Sequence, residues 1–173
     1  RNTRERRKNL KLQYIVMANQ QQSEFETLLF RKKDKVGVSV LLILAWISTS
    51  DGALDEEEKK NLWGIAEAGN HSECMPLIIS LAKRADIAAI QLACEIIKAH
   101  FTGERSGLFM EVAIGISIAD RFLLPSENYI LRFLADLLGI TKSRLNGLFL
   151  KATGKPLPDP PNVSSQQYWQ QKQ

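Results

Sequence analysis

Apolar residues recur along most of this chain at intervals of three and four, the spacing that lines one side of an α-helix. Runs that alternate apolar and polar residues between turn signals are nearly absent. The pattern predicts an all-α fold with roughly seven helices.

Start and stop signals divide the pattern. Ser23 caps a helix through Phe25, Leu28, Leu29 and Phe30, and Asp34 or Lys35 opens the next, which carries Val38, Leu41, Leu42, Ala45 and Trp46 to Ser50. Gly52 ends it. Asp55 then acts as an N-cap with Glu58 three residues on, a carboxylate form of the capping box, and the helix it opens carries Leu62, Trp63, Ile65 and Ala66 to a stop at Gly69.

Pro76 suits the first turn of a short helix through Leu77, Ile78, Ile79 and Leu81, because the N–H it lacks would be unpaired there. Asp86 caps a longer helix with a wide apolar stripe of Ile87, Ile90, Ala93, Ile96 and Ile97, running to Phe101. Thr102 to Gly107 reads as a polar loop. Helices follow over Leu108 to Asp120 and Pro125 to Leu138, the second stopped by Gly139, and a last one capped by Thr141 buries Leu145, Leu148 and Phe149.

The expected organisation has three parts. Residues 1–22 form a basic, Gln-rich arm that reads as a solvated, disordered extension, residues 23–153 the helical domain, and residues 154–173 a linker or tail rich in Pro and Gln. Met17 followed by Ala18, Asn19 and glutamines has the look of a natural start, which makes residues 1–16 a candidate artificial or mis-assigned addition. The tail ends in Tyr168 and Trp169 and reads as a tether toward another domain.

Composition is that of an ordinary folded protein, 45% hydrophobic and 24% charged. The net charge of +4 is concentrated in the arm, where Arg1, Arg4, Arg6, Arg7, Lys8 and Lys11 face only Glu5. The rest of the chain is near neutral, so no nucleic-acid binding is expected from the folded body. Cys74 and Cys94 lie in apolar helical contexts without CxxC spacing, which fits buried, reduced thiols and a cytoplasmic setting.

The apolar run 36–47, preceded by basic residues, raises one alternative, a membrane-anchored protein. At about 12 residues it falls short of the roughly 20 that a spanning helix needs, so a buried core helix is expected and no membrane span.

An internal repeat carries the rest. A shift of 69 positions superposes Asp51 on Asp120, Leu54 on Leu123, Glu58 on Glu127, Leu62 on Leu131 and Ala66 on Ala135, with Ile47 and Ser48 landing on Ile116 and Ser117. Each copy is an apolar helix, an Asp at its end, a short loop with one inward Leu, and a second helix with Glu at its third position. The leucines are expected to plug the seam between paired helices, and each Glu to sit near free N–H groups at a helix start. Two pseudo-symmetric hairpins of this kind can pack into one bundle.

With Asp51-Gly52-Ala53-Leu54 and Glu58, and the weaker Asp120-Arg121-Phe122-Leu123 and Glu127, the chain resembles the TerB-like (tellurite-resistance) family over about residues 25–153. Arg121 and Leu124 depart from the pattern, where a small residue and a polar cap would stand; Pro125 partly offsets the lost cap. The resemblance implies an all-helical duplicated domain, found alone in stress-resistance proteins or joined to J-domains in co-chaperones. It further implies protein partners, a downstream J-domain in a longer chain, and a proposed capacity to bind metal.

The residues that could carry such chemistry are Asp51, Asp55, Glu58, Asp120 and Glu127, whose carboxylates suit a hard divalent cation. Threaded on a calcium hand, the first loop puts Ile47 at the first ligand position and Thr49 at the third, which argues against a tight calcium site. Helix capping, at about 1 kcal/mol per site, is reason enough for these acids. Glu56, Glu57 and Glu58 with Lys59 and Lys60 read as a charged, exposed helix start that could dock a partner. His71, Glu73 and Cys74 lie close in sequence but supply too few ligands for zinc, and His100 and Cys94 share no helix face.

No nucleophile elbow, phosphate loop, dinucleotide fingerprint or HExxH stands in the chain, and its histidines number 2. The expectation is therefore a non-enzymatic interaction or regulatory module with no cofactor beyond a divalent cation. A metal-binding stress-resistance protein is the alternative.

Overall fold

The structure, a computed structural model, describes residues 2–20, 23–52, 54–119 and 122–161, and of residues 2 and 14–20 the backbone alone. The chain divides into two compact units, residues 1–33 and 34–173. Every regular element among the described residues is helical.

The first unit holds α1 (Asn2–Gln20) and α2 (Glu24–Arg31). The arm expected to be a disordered extension is thus helical over most of its length, and the helix crosses Met17 without a break. Long polar and basic side chains are good helix formers even where no apolar stripe asks for a helix. Ser23 caps α2 as expected, accepting from Glu26 N at 3.1 Å.

The second unit holds α3 (Lys35–Thr49), α4 (Glu56–Ala68), a 3-10 turn (Ser72–Cys74), α5 (Met75–Lys83), α6 (Ile87–His100), α7 (Arg105–Ser117), α8 (Pro125–Leu137) and α9 (Lys142–Thr153). α3 is apolar on nearly every side and is accordingly surrounded, with α4, α5, α6, α7 and α8 all packed on it. Trp46 is fully buried there and meets the Phe133 ring edge-on at 6.1 Å. Among the described residues no helix is long and apolar enough to cross a membrane.

The polar loop Thr102 to Gly107 is shorter than expected, because α7 already begins at Arg105. Gly107 lies inside that helix, where the would-be Cβ position is 2.7 Å from an Arg144 guanidinium nitrogen, so its small size answers to packing rather than to a turn.

The second helices of the two sequence copies keep the register of the repeat. α4 and α8 are both 13 residues long and their bounds differ by the same 69 positions. Their C-termini close with equivalent bonds: Gly69 N to Ile65 O, Asn70 N to Glu67 O and His71 N to Ala66 O in the first, Leu138 N to Leu134 O, Gly139 N to Asp136 O and Ile140 N to Ala135 O in the second. Such a closure needs one left-handed residue. Gly139 supplies it at φ 71°, but in the first copy it is Asn70 at φ 60°, not the Gly69 that the sequence suggests.

Part of the proline-rich tail is docked rather than free. Leu157 is buried, Asn128 Nδ2 donates to Pro158 O at 3.2 Å and Asp159 O at 2.9 Å, and Arg132 Nη2 donates to Pro158 O at 2.7 Å. Proline removes donors but leaves carbonyls, and α8 supplies donors for them.

Candidate functional site

The first hinge joins α3 to α4. Gly52 takes φ +91°, a conformation costly for any residue with a Cβ, and Asp55 caps α4 by accepting from Glu58 N at 2.7 Å. Asp51 is exposed and Asp55 half-buried, whereas Glu58 is only 3% exposed. Glu58 therefore is not part of an exposed charged start. Its position four and eight residues before the buried Leu62 and Ala66 puts it on the inward face of α4, a phase that was visible in the sequence.

Glu127 occupies the equivalent third position of α8 and is also 3% exposed. Its Oε1 accepts from Leu124 N at 2.9 Å, half of a capping box whose other half is absent because a leucine side chain cannot accept. Ser50, at the end of α3, lies 2.9 Å from Ser126 Oγ and 2.8 Å from Ile47 O. With one hydroxyl hydrogen it donates to the carbonyl and accepts from Ser126. This bridge joins the first hinge to the start of α8.

The electrostatics are one-sided. Burial first, then the side chain of Asp55 and the charges of Asp55, Asp51 and Glu127, push the Glu58 carboxyl up to about 8. Glu58 Oε2 is buried with no hydrogen-bond partner. A protonated carboxyl relieves that position best, since a neutral acid carries the smaller desolvation cost.

Of the five acids that could hold a cation, Asp51, Asp55 and Glu127 are near enough to act on the fourth, Glu58, while Asp120 lies outside the described residues. Among the described residues no three histidine, cysteine or acidic side chains converge closely enough to hold a metal ion. The hinge leucines Leu54 and Leu123 are half-buried in both copies, so the glutamates are the more deeply enclosed residues of each hinge.

The second hinge carries an apolar groove. Ile118, Phe122, Leu123, Phe149, Ala152 and Pro156 line a groove of about 430 Å³ between the end of α7, α9 and the docked tail, and Phe122 is 72% exposed at its edge. Local sequence patterns do not announce this groove, because it needs α9 and the tail brought together from distant positions.

A second polar pair also went unforeseen. Asp34 caps α3 by accepting from Gly37 N at 2.9 Å, and its other oxygen lies 2.8 Å from His71 Nε2. His71 is buried, its Nδ1 has no partner, and its Nε2–H donates to the Asp34 carboxylate, which can only accept. The His71 hydrogen bond, then that from Gly37 N, hold the Asp34 carboxyl below the usual carboxylate range. Cα alone at Gly37 and Gly69 makes room: a Cβ at Gly37 would meet Asp34 Oδ2 at 2.1 Å, and one at Gly69 would meet His71 Cδ2 at 2.8 Å.

Cys74 and Cys94 are both free and buried. Burial, with the Glu95 charge, pushes the Cys94 thiol up to about 12, which keeps it from acting as a thiolate nucleophile near neutral pH.

In comparisons with protein-family models, curated proteins and solved structures, nothing matches this chain.

Proposed function

We propose that this chain is a non-enzymatic, TerB-like helical interaction module, two pseudo-symmetric hairpins packed as one bundle, serving a stress-response or J-domain-type co-chaperone protein. The duplication is supported by the equal register of α4 and α8, by their matching C-terminal closures and by the equal burial of Glu58 and Glu127. The co-chaperone setting rests on the resemblance in the hinge motifs alone.

The observation that carries the interaction reading is the apolar groove at the second hinge. It stands open beside Phe122, which is 72% exposed. A groove of this size accepts one or two apolar side chains from a partner protein, with Phe122 as an anchor at its edge. Phe122→Asp is the test, with Leu108→Asp as a control because Leu108 is equally an exposed apolar residue, 59% exposed, but outside the groove. Affinity capture should lose a specific partner with Phe122→Asp and keep it with Leu108→Asp; equal retention by both variants overturns the reading.

A second reading, a divalent-cation-binding stress-resistance protein, is favoured by one atom: Glu58 Oε2, buried without a hydrogen bond among acids. A cation would satisfy it. Calorimetry with calcium, magnesium, zinc and manganese tests this, and the absence of both heat and a melting shift removes it.

A further inference from the structure

The helix α1 gathers its charge on one side. Arg4, Arg7, Lys8 and Lys11 follow the i, i+3, i+4, i+7 spacing and fall within an arc of about 100°. They line one common surface depression together with Leu10. All four are exposed, and none is engaged in an ion pair among the described residues.

The other sides of the helix decide what such a stripe can face. Opposite it stand Asn9, Gln13 and Arg6, while Leu10 and Leu12 lie apart on the two flanks, 64% and 56% exposed. A helix that settles into a bilayer surface needs a continuous apolar face opposite its charges, and this one has a polar face there. Glu5, the single acid of α1, sits on the Leu12 flank, off the stripe.

We propose that α1 binds the phosphodiester backbone of duplex nucleic acid through Arg4, Arg7, Lys8 and Lys11. From Arg4 to Lys11 the stripe extends about 10 Å along the axis, and a helix with side chains, about 10–12 Å across, matches the major groove of B-form DNA, about 12 Å wide. On an A-form RNA duplex the same side chains reach the phosphates flanking its narrow groove. Arginine and lysine reach phosphate oxygens from such a helix without reading bases, so recognition is of charge and shape and not of sequence. The rest of the chain is near neutral, so the positive charge is concentrated on this arm.

The test is a fluorescence anisotropy titration of the full chain with a 20-base-pair DNA duplex, the matching RNA duplex, and vesicles of phosphatidylserine and phosphatidylcholine, between 25 and 200 mM salt. Binding to either duplex should fall with salt at a slope of about −3 to −4 on logarithmic axes, for four phosphates neutralised. Arg4→Gln/Arg7→Gln/Lys8→Gln/Lys11→Gln should abolish it. The control Lys60→Gln/Lys83→Gln/Lys142→Gln/Lys151→Gln, which removes the same net charge from exposed positions of the body, should leave it within threefold. Preference for one duplex over the other assigns the source. Equal weakening by the two variants, or binding to vesicles and not to duplexes, overturns the proposal; circular dichroism of each variant checks that helix content is kept.

Discussion

Glu58 and Glu127 stand 69 positions apart in sequence, each at the third residue of a 13-residue helix and each 3% exposed, and the charge of Glu127 helps to suppress ionisation of Glu58. Glu127 thus lies near enough to its repeat-equivalent residue to affect its ionisation, behind burial, Asp55 and Asp51. Ser50 and Ser126, bonded at 2.9 Å, fasten the same junction.

Stability should therefore depend on pH through Glu58. Its carboxyl titrates near 8 when folded and near 4.5 when unfolded, so the folded state binds the proton more tightly. The resulting stabilisation is fully present below the unfolded value and is lost as pH rises through about 8. Urea denaturation should show the wild type weakening between pH 5 and pH 9, by an amount on the order of a few kcal/mol, with Glu58→Gln nearly flat over that range. A flat wild-type profile would show that Glu58 is not held protonated.

Glycine substitutions should split by sign. Gly64 lies within α4 with open space around its would-be Cβ, so Gly64→Ala should stabilise by about 0.5–1 kcal/mol through helix propensity. Gly37→Ala gains the same propensity but drives a Cβ onto Asp34 Oδ2, breaking the cap and the contact with His71. Overpacking costs about 1–3 kcal/mol, which outweighs the gain, and chemical denaturation should show net destabilisation.

Ala85 ends α5 at φ 48°, a left-handed position held by Asp86 N to Leu81 O and Ala85 N to Ala82 O. An L-residue there costs about 1–2 kcal/mol, and glycine gives back part of that in chain entropy. Ala85→Gly should raise the melting temperature, with a net gain of about 0.5–1 kcal/mol.

The docked tail depends on two side chains of α8. Asn128→Ala removes both bonds to Pro158 and Asp159 carbonyls and also leaves Arg132 Nε without its Asn128 Oδ1 acceptor. Limited proteolysis should cut residues 155–161 faster in this variant, while urea denaturation of the helical body changes by no more than about 1 kcal/mol.

Much of the fold was legible because local chemistry marks helix ends: Ser23, Asp34, Asp55, Asp86 and Thr141 each accept from a backbone N–H three residues on. The repeat was legible because its copies align without a gap. What stayed hidden depends on distant contacts. The carbonyls of Pro158 and Asp159 find their donors on α8, the groove beside Phe122 needs α9, and Asp34 meets His71 across 37 residues of sequence. Glu58 was misread as exposed because its charge outweighed its phase. The α1 helix was missed because no apolar stripe announces it.

The most direct measurement is a double-mutant cycle on Glu58→Gln and Glu127→Gln, followed by urea denaturation at pH 9 and pH 5.5. If the duplicated hairpins bring these two acids to one buried seam, each substitution relieves the same repulsion at pH 9, and the double variant gains less than the sum, with a coupling of at least about 0.5 kcal/mol that fades at pH 5.5. Strict additivity at both pH values would contradict it, and the two hinges would then be independent.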